Sequence, residues 1–182
     1  MGPRDRLVTA AIDVIAARGP AGASLSQIAK QAGVSKALVL YHFSGKDELL
    51  TAALETVLGE LVAVVGRAVD EAPTPAEAVF AYARSMAAHM AERPAHARVL
   101  AELLALEELT GKGSRRQHGD RWQVLADLIR SADLAPADPM VAALAIGGAI
   151  DALVGQSLAD PGFDLAKAGQ ELERLLRRAL KP

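Results

Sequence analysis

The stretch from Ser24 to Lys46 constrains the fold of this chain more than any other, because it carries the start and stop signals of two short helices. Ser24 and Gln27 form a Ser-x-x-Gln capping box, in which the serine hydroxyl accepts from a free N–H group of the first turn. Gly33 stands where a left-handed residue ends a helix, and Ser35 caps a second helix. Two helices joined by a glycine turn predict a helix-turn-helix, whose second helix fits the major groove of DNA.

The second predicted helix has an inner and an outer side. Val39 and Phe43 are four residues apart and face the domain core, which leaves the other residues at the side or outside. Lys46 lies in the first turn of the next helix, where free N–H groups and the helix dipole attract a phosphate. The predicted DNA-binding residues are Ser24, Ser35, Lys36, Ala37, Leu38, Tyr41, His42 and Lys46, with Leu38 placed to contact a thymine methyl group.

The pattern AxxAGVSKxLVxxxF, followed by SGKDELL at the start of a long helix, resembles the DNA-binding module of the TetR family of transcriptional regulators. The resemblance covers about Leu7 to Leu50, and the rest of the chain agrees in length and helical pattern. Many members carry a phosphate-contacting tyrosine where this chain has Leu40, and here the aromatic residue is Tyr41. The resemblance implies a homodimer that binds a palindromic operator on double-stranded DNA, acts as a repressor and is released by a small molecule.

Composition and charge agree with a helical DNA-binding protein. About half of the 182 residues are hydrophobic, mostly Ala, Leu and Val, which favours helices packed on helices. Residues 1–46 carry six Lys/Arg against two Asp/Glu, and residues 47–182 carry fourteen against twenty, although small modules also differ in charge by chance. There is no cysteine, which excludes a thiolate nucleophile, a disulfide and a Cys-ligated metal, and which fits a cytoplasmic location.

The remainder of the chain predicts an all-α fold of about nine helices, with no strand pattern. We expect a helix-turn-helix domain over residues 1–46 and a helical effector-binding and dimerisation domain over residues 47–182. A capping box from Ser44 to Asp47 opens a long helix to about Asp70, and this helix offers a route by which a distant ligand acts on the DNA-binding end. Thr74 and Glu77 form a further capping box.

The last two predicted helices carry broad apolar faces and predict the dimer interface. Gly147 and Gly148 allow another backbone to approach closely, although the same face would also serve to fill the chain's own core. Dimerisation also suits the proposed activity, because one recognition helix reads only a few base pairs. The predicted interface residues are Ile146, Ile150, Leu153, Val154, Leu172, Leu175, Leu176 and Ala179.

A pocket between the middle helices is a weaker prediction, because an apolar stripe at helical spacing is more often plain core. Methionine adapts to irregular shapes and tryptophan offers an N–H donor, and the scarcity of charge on the inner faces indicates a hydrophobic effector. The predicted lining residues are Phe80, Met86, Met90, Leu104 and Trp122.

No pattern indicates an enzyme, a cofactor or a metal site. Pro94 separates His89 and Glu92 from His96 and interrupts the helix that would align them. The apolar stretch Met140–Ala159 contains Asp151 and a glycine pair, so we expect a buried helix and not a membrane span. Two alternatives remain open: a DNA-binding protein with a solid body and no ligand switch, and a helical enzyme or scaffolding protein with no preference for duplex DNA.

Overall fold

The computed structural model describes residues 2–110, 115–132, 134 and 138–180, with the side chains of all of these except 107–110 and 115–121. All regular structure in these ranges is helical, so the prediction of an all-α fold is confirmed. The helices, numbered in chain order, are α1 (Pro3–Gly22), α2 (Leu25–Ala32), α3 (Lys36–His42), α4 (Lys46–Asp70), α5 (Pro75–Glu92), α6 (Pro94–Thr110), α7 (Arg115–Ser131), α8 (Pro139–Ala159) and α9 (Leu165–Ala179).

The helices form two compact units. The first unit consists of Met1–Glu60 and Pro94–Thr110, and the second of Leu61–Arg93 and Gly111–Pro182. The first unit therefore holds α1, α2, α3, the start of α4 and α6, while the second holds the end of α4 together with α5, α7, α8 and α9. This division follows packing, and the functional boundary after residue 46 stays a prediction.

The first unit packs α1 against both α2 and α6. Helix α1 places an apolar stripe inward, and Gly19 interrupts its regular geometry with a positive φ of 70°. Gly33 ends α2 in the left-handed conformation that the sequence predicts, with φ of 68°. The core side chains that lose almost all exposure are Leu7, Ile15, Ile28, Val39, Phe43, Leu49, Val57 and Val99.

The second unit is built around α5, which contacts α7, α8 and α9. Helices α5 and α9 approach closely at Gly169, where an added methyl carbon would lie 2.5 Å from the methyl carbon of Ala87. The ring of Trp122 in α7 occupies the space over Gly147 of α8 in the same way. Glycine at these two positions therefore sets how closely the helices pack.

Two local predictions need correction. Helix α4 begins at Lys46, and Ser44 is bound by the carboxylate of Glu48, not by Asp47. Thr74 does cap α5, but the Glu77 carboxylate binds the guanidinium of Arg177, because a charged bidentate partner outcompetes a backbone N–H group.

The prediction of a buried helix over Met140–Ala159 is only half right. Helix α8 buries one face, formed by Ala143, Ile146, Gly147 and Ile150. Its other face leaves apolar side chains exposed, including Val141 at 60% and Leu144 at 48%. By length and composition alone, α4 and α8 are apolar enough to cross a membrane, a test that core helices of soluble proteins also pass.

Candidate nucleic-acid interface and effector region

One side of α3 is exposed along its whole length. Val39 is fully buried and fixes the rotation of the helix. The exposed residues are Lys36, Ala37, Leu40 and Tyr41, which are related by the four-residue spacing of a helix face. Tyr41 is the most exposed of the large apolar residues described, at 81%, and its ring meets His42 edge to face at 5.1 Å between ring centroids.

The exposed face differs from the predicted one at three positions. Leu38 and His42 are half-buried and lie at its flanks. Leu40 is 49% exposed and lies on the face itself, although the sequence analysis did not place it among the DNA-binding residues. Its spacing of four from Lys36 was the signal that would have found it.

The two predicted capping serines hold the helices of the turn. The Ser24 hydroxyl accepts from the Gln27 N–H at 3.2 Å, and the Ser24 N–H donates to Gln27 Oε1 at 3.1 Å. The Ser35 hydroxyl accepts from the Leu38 N–H at 3.2 Å. The Ser35 hydroxyl therefore keeps its own proton for donation to a phosphate. The Ser24 hydroxyl instead donates its proton to Gln27 Oε1 at 3.2 Å.

Lys46 lies half-buried at the first residue of α4. Its Nζ donates to the backbone carbonyl of Ala21 at 3.4 Å, so it lies against the turn that leads into Ser24 and α2. The structure thus brings Lys46 close to the start of α2. Lys46 adds a positive charge to the first turn of α4, where the helix dipole also favours an anion.

A second cluster at the start of α4 was not found from the sequence. The N–H and the hydroxyl of Ser44 both donate to Glu48 Oε2 at 2.7 Å, and these bonds hold the pKa of Glu48 below its usual value, with a smaller contribution from the charge of Arg4. The guanidinium of Arg4 lies over the ring of Phe43, 5.0 Å from its centroid. Since Phe43 directly follows α3, this cluster ties the end of α3 to α1 and α4.

Two of the five predicted effector residues line one small cavity. Met86 and Trp122 line a small cavity of about 20 Å³ in the second unit, together with Tyr82, Gly147, Ile150 and Asp151. A space of this size holds roughly one water molecule.

The other three predicted effector residues lie elsewhere. Phe80 is buried under the guanidinium of Arg177, which lies 4.4 Å from its ring centroid. Met90 is buried in α5, and Leu104 belongs to the first unit. The helical spacing of these residues predicted that they face inward, but it did not predict which residues of other helices they contact.

The predicted dimer residues fall into two groups. Ile146 and Ile150 are 3% and 4% exposed, so the second unit buries them in its own core. The alternative that this face fills the chain's own core therefore holds for these two residues. Leu175 is 60% exposed on α9, and Ala179 is exposed beside it, while Leu153, Val154, Leu172 and Leu176 are half-buried.

Helix α8 carries a continuous exposed stripe of small and apolar residues. An added methyl group would meet nothing within 4 Å at Gly148 or Gly155. With the spacing of one helix face, the stripe consists of Val141, Leu144, Ala145, Gly148, Ala152 and Gly155, all of them exposed.

The capped helix pair, its open recognition face and the basic residues around it define a helix-turn-helix DNA-binding protein with an all-α fold. Residues 7–53 match the family described as bacterial regulatory proteins, tetR family. The segment from residue 7 to residue 53 is therefore similar to the DNA-binding module of the TetR family of transcriptional regulators.

Individual relatives agree with this assignment. The HTH-type transcriptional regulator BetI of Brucella canis is 41% identical over 78 residues, which cover 43% of this chain and 39% of BetI, so the chain matches about two fifths of this curated relative. A solved transcriptional regulator from Rhodococcus sp. Rha1 is 26% identical, with a TM-score of 0.80 over the whole of both chains. FadR from Bacillus subtilis, solved with stearoyl-CoA, shares the fold at 21% identity and a TM-score of 0.77, covering 97% of this chain and 99% of FadR.

Proposed function

We propose that this chain is a ligand-responsive transcriptional repressor that binds a palindromic operator as a homodimer in the cytoplasm. A small hydrophobic effector releases it from the DNA. The observation that carries the proposal is the exposed face of α3, which presents a lysine and a tyrosine to solvent.

Several groups near α3 are suited to bind DNA phosphates and so to fix the position of the protein along the duplex. Lys46 and the starts of α2 and α4 supply positive charge beside the recognition helix, and Ser35 supplies a hydroxyl. Because each neutralised phosphate releases counterions, affinity falls with salt, with a log–log slope of about −0.9 for each contact.

The exposed faces of α8 and α9 support a homodimer. Apolar side chains exposed at 48–60% are unfavourable in water, and the open glycines of α8 admit a second backbone at close range. A two-fold dimer places two recognition helices about 34–36 Å apart, or a multiple of that distance, on one side of a duplex.

Effector control rests on the second unit. Trp122 fills the space over Gly147, so an effector larger than water requires the ring to move. The structural neighbour solved with stearoyl-CoA supports a hydrophobic effector as the first class to test. By linkage, an effector that weakens DNA binding is itself bound more weakly, by the same factor, when DNA is present.

The test is fluorescence anisotropy with a labelled duplex from the DNA that flanks the gene, titrated at several salt concentrations. Saturable binding that exceeds the affinity for a scrambled duplex by about a hundredfold or more supports the proposal. Equal affinity for both duplexes contradicts a sequence-specific repressor, and no binding to either contradicts a DNA-binding role.

A DNA-binding protein without a ligand switch is the second candidate, because the cavity that Met86 and Trp122 line is only about 20 Å³. Thermal-shift measurements against fatty acids, acyl-CoA thioesters and other hydrophobic compounds separate the two. A rise in Tm together with loss of operator binding supports the switch, and an unchanged Tm across the set favours the second candidate.

A further inference from the structure

The exposed face of α3 is unusually apolar for a surface that meets DNA. Of its four residues, only Lys36 and Tyr41 carry a polar group that donates a hydrogen bond. Ala37 and Leu40 offer methyl groups alone. Base reading by this face therefore depends in part on apolar contact.

Leu40 stands where many TetR-family members carry a phosphate-contacting tyrosine. Leucine has no hydroxyl to make that contact, so only its methyl groups can meet the DNA. Leu40 is 49% exposed, so about half of its surface is open to solvent. Lys36 is four residues before Leu40 and Tyr41 directly follows it, so the residue lies between the two polar groups of the face.

The major groove offers one apolar group for such a side chain to meet. Each base pair presents hydrogen-bond donors and acceptors there, and only thymine adds a methyl group, at C5. Burial of one methyl or methylene group contributes enough free energy to change affinity about fourfold.

We propose that Leu40 is a specificity-determining residue that selects a thymine in each operator half-site by packing against its C5-methyl group. This inference rests on the proposed DNA-binding function. It adds a residue that the predicted set of DNA-binding residues did not contain, and it moves the expected thymine-methyl contact from the half-buried Leu38 to the exposed Leu40.

The experiment begins with a duplex selected by the wild-type protein from a randomised pool. Each thymine of one half-site is then replaced in turn by deoxyuridine, which removes only the C5-methyl group. Wild type and Leu40→Ala are titrated against every duplex. We expect one position at which deoxyuridine weakens wild-type binding about fourfold and leaves the affinity of Leu40→Ala unchanged.

Two further variants make the result specific to Leu40. Leu40→Met keeps an apolar side chain of similar volume and retains the deoxyuridine effect at that position. Val62→Ala removes methyl groups from an exposed apolar side chain outside α3 and leaves the whole scan as in wild type. Circular dichroism melting checks that Leu40→Ala has the Tm of the parent.

The outcomes separate this inference from the proposed function. If the wild type selects no duplex, the DNA-binding function fails and the role of Leu40 fails with it. If the wild type binds its selected duplex but no deoxyuridine effect depends on Leu40, the role of Leu40 is wrong and the DNA-binding function stands.

Discussion

Lys46 places one positive charge at the first residue of α4, with its Nζ 3.4 Å from the carbonyl oxygen of Ala21. This bond is long and exposed, so a phosphate oxygen displaces the carbonyl easily. We expect Lys46→Ala to weaken binding to all duplexes alike and to reduce the salt slope by about 1.

Lys167→Ala is the matched control, because it removes the same charge from an exposed position on α9. Anisotropy titrations at four salt concentrations give the slopes. A Lys46→Ala slope equal to that of wild type would remove Lys46 from the phosphate contacts.

Tyr41 contributes little to folding, since 81% of its surface is exposed. We expect Tyr41→Ala to lower operator affinity about tenfold or more while Tm stays within about 1 °C of wild type. Tyr41→Phe keeps the ring and removes the hydroxyl, so its affinity tells whether the hydroxyl donates to the DNA. Unchanged affinity in Tyr41→Ala at equal helicity would exclude a contact by this side chain.

At the scale of elements, the close approach of α5 and α9 depends on Gly169. A methyl group there would lie 2.5 Å from the Ala87 methyl carbon, so Gly169→Ala forces the helices apart. We expect a loss of about 1–2 kcal/mol in the free energy of unfolding, after an offset of roughly 1 kcal/mol from the better helix propensity of alanine.

Gly59→Ala serves as the control for this substitution. Gly59 lies inside α4 with nothing within 4 Å of an added methyl group, so the same change raises the free energy of unfolding by about 0.5–1 kcal/mol. Urea unfolding with a common m-value measures both. Equal effects of the two substitutions would contradict the close packing at Gly169.

An ion pair makes a second link between α5 and α9. The guanidinium of Arg177 donates to both carboxylate oxygens of Glu77 at 2.6 Å, and this lowers the pKa of Glu77. Because the pKa of Glu77 is lower in the folded chain than in the unfolded chain, its ionised carboxylate stabilises the folded state at pH values above the unfolded-state pKa. This stabilisation is lost as the pH falls through the folded-state pKa.

We therefore expect Glu77→Gln to lower Tm by about 1–4 °C at pH 7, a small effect because the Glu77 side chain is 39% exposed. The difference from wild type should shrink below about pH 4.5, as Glu77 of the wild type takes up a proton. Calorimetry from pH 7 to pH 3.5 measures it, and a difference that stays constant with pH would contradict the ion-pair origin.

The sequence predicted those features of the fold that depend on residues close together in the chain. Helix starts at Ser24, Ser35 and Thr74 follow from side chains that accept from N–H groups three residues away, and all three form. The Glu77 carboxylate binds Arg177 and not the N–H group at the start of its own helix. No local pattern predicts this, because Arg177 lies a hundred positions later in the sequence.

The candidate sites divide in the same way. The outer face of α3 was predicted at Lys36, Ala37 and Tyr41, because the spacing from Val39 fixes the rotation of a short helix. Leu38 and His42 were assigned to this face but lie at its flanks, and Leu40 was left out although it lies on the face. The burial of Ile150 could not be predicted, because α8 is apolar on both sides. Only the packing of α8 against other helices shows which side faces the core.

At the scale of the whole molecule, the open question is how two recognition helices come to face one duplex. The exposed side chains of Leu144 on α8 and Leu175 on α9 are 48% and 60% exposed in the single chain, and a dimer through these helices would bury them. We expect the double variant Leu144→Glu/Leu175→Glu to sediment as a monomer at micromolar concentration, because it places four like charges in that interface.

The matched control is Val62→Glu/Val124→Glu, which introduces two acids at apolar side chains exposed at 68% and 67% on α4 and α7. We expect the control to remain dimeric and both double variants to keep the Tm of the folded chain at high dilution. Operator affinity of the monomeric variant should fall about tenfold or more, because the second half-site no longer benefits from the first. If this variant stays dimeric and binds the operator as wild type does, the two copies meet elsewhere. If it becomes monomeric with full operator affinity, one recognition helix suffices and the palindromic operator is wrong.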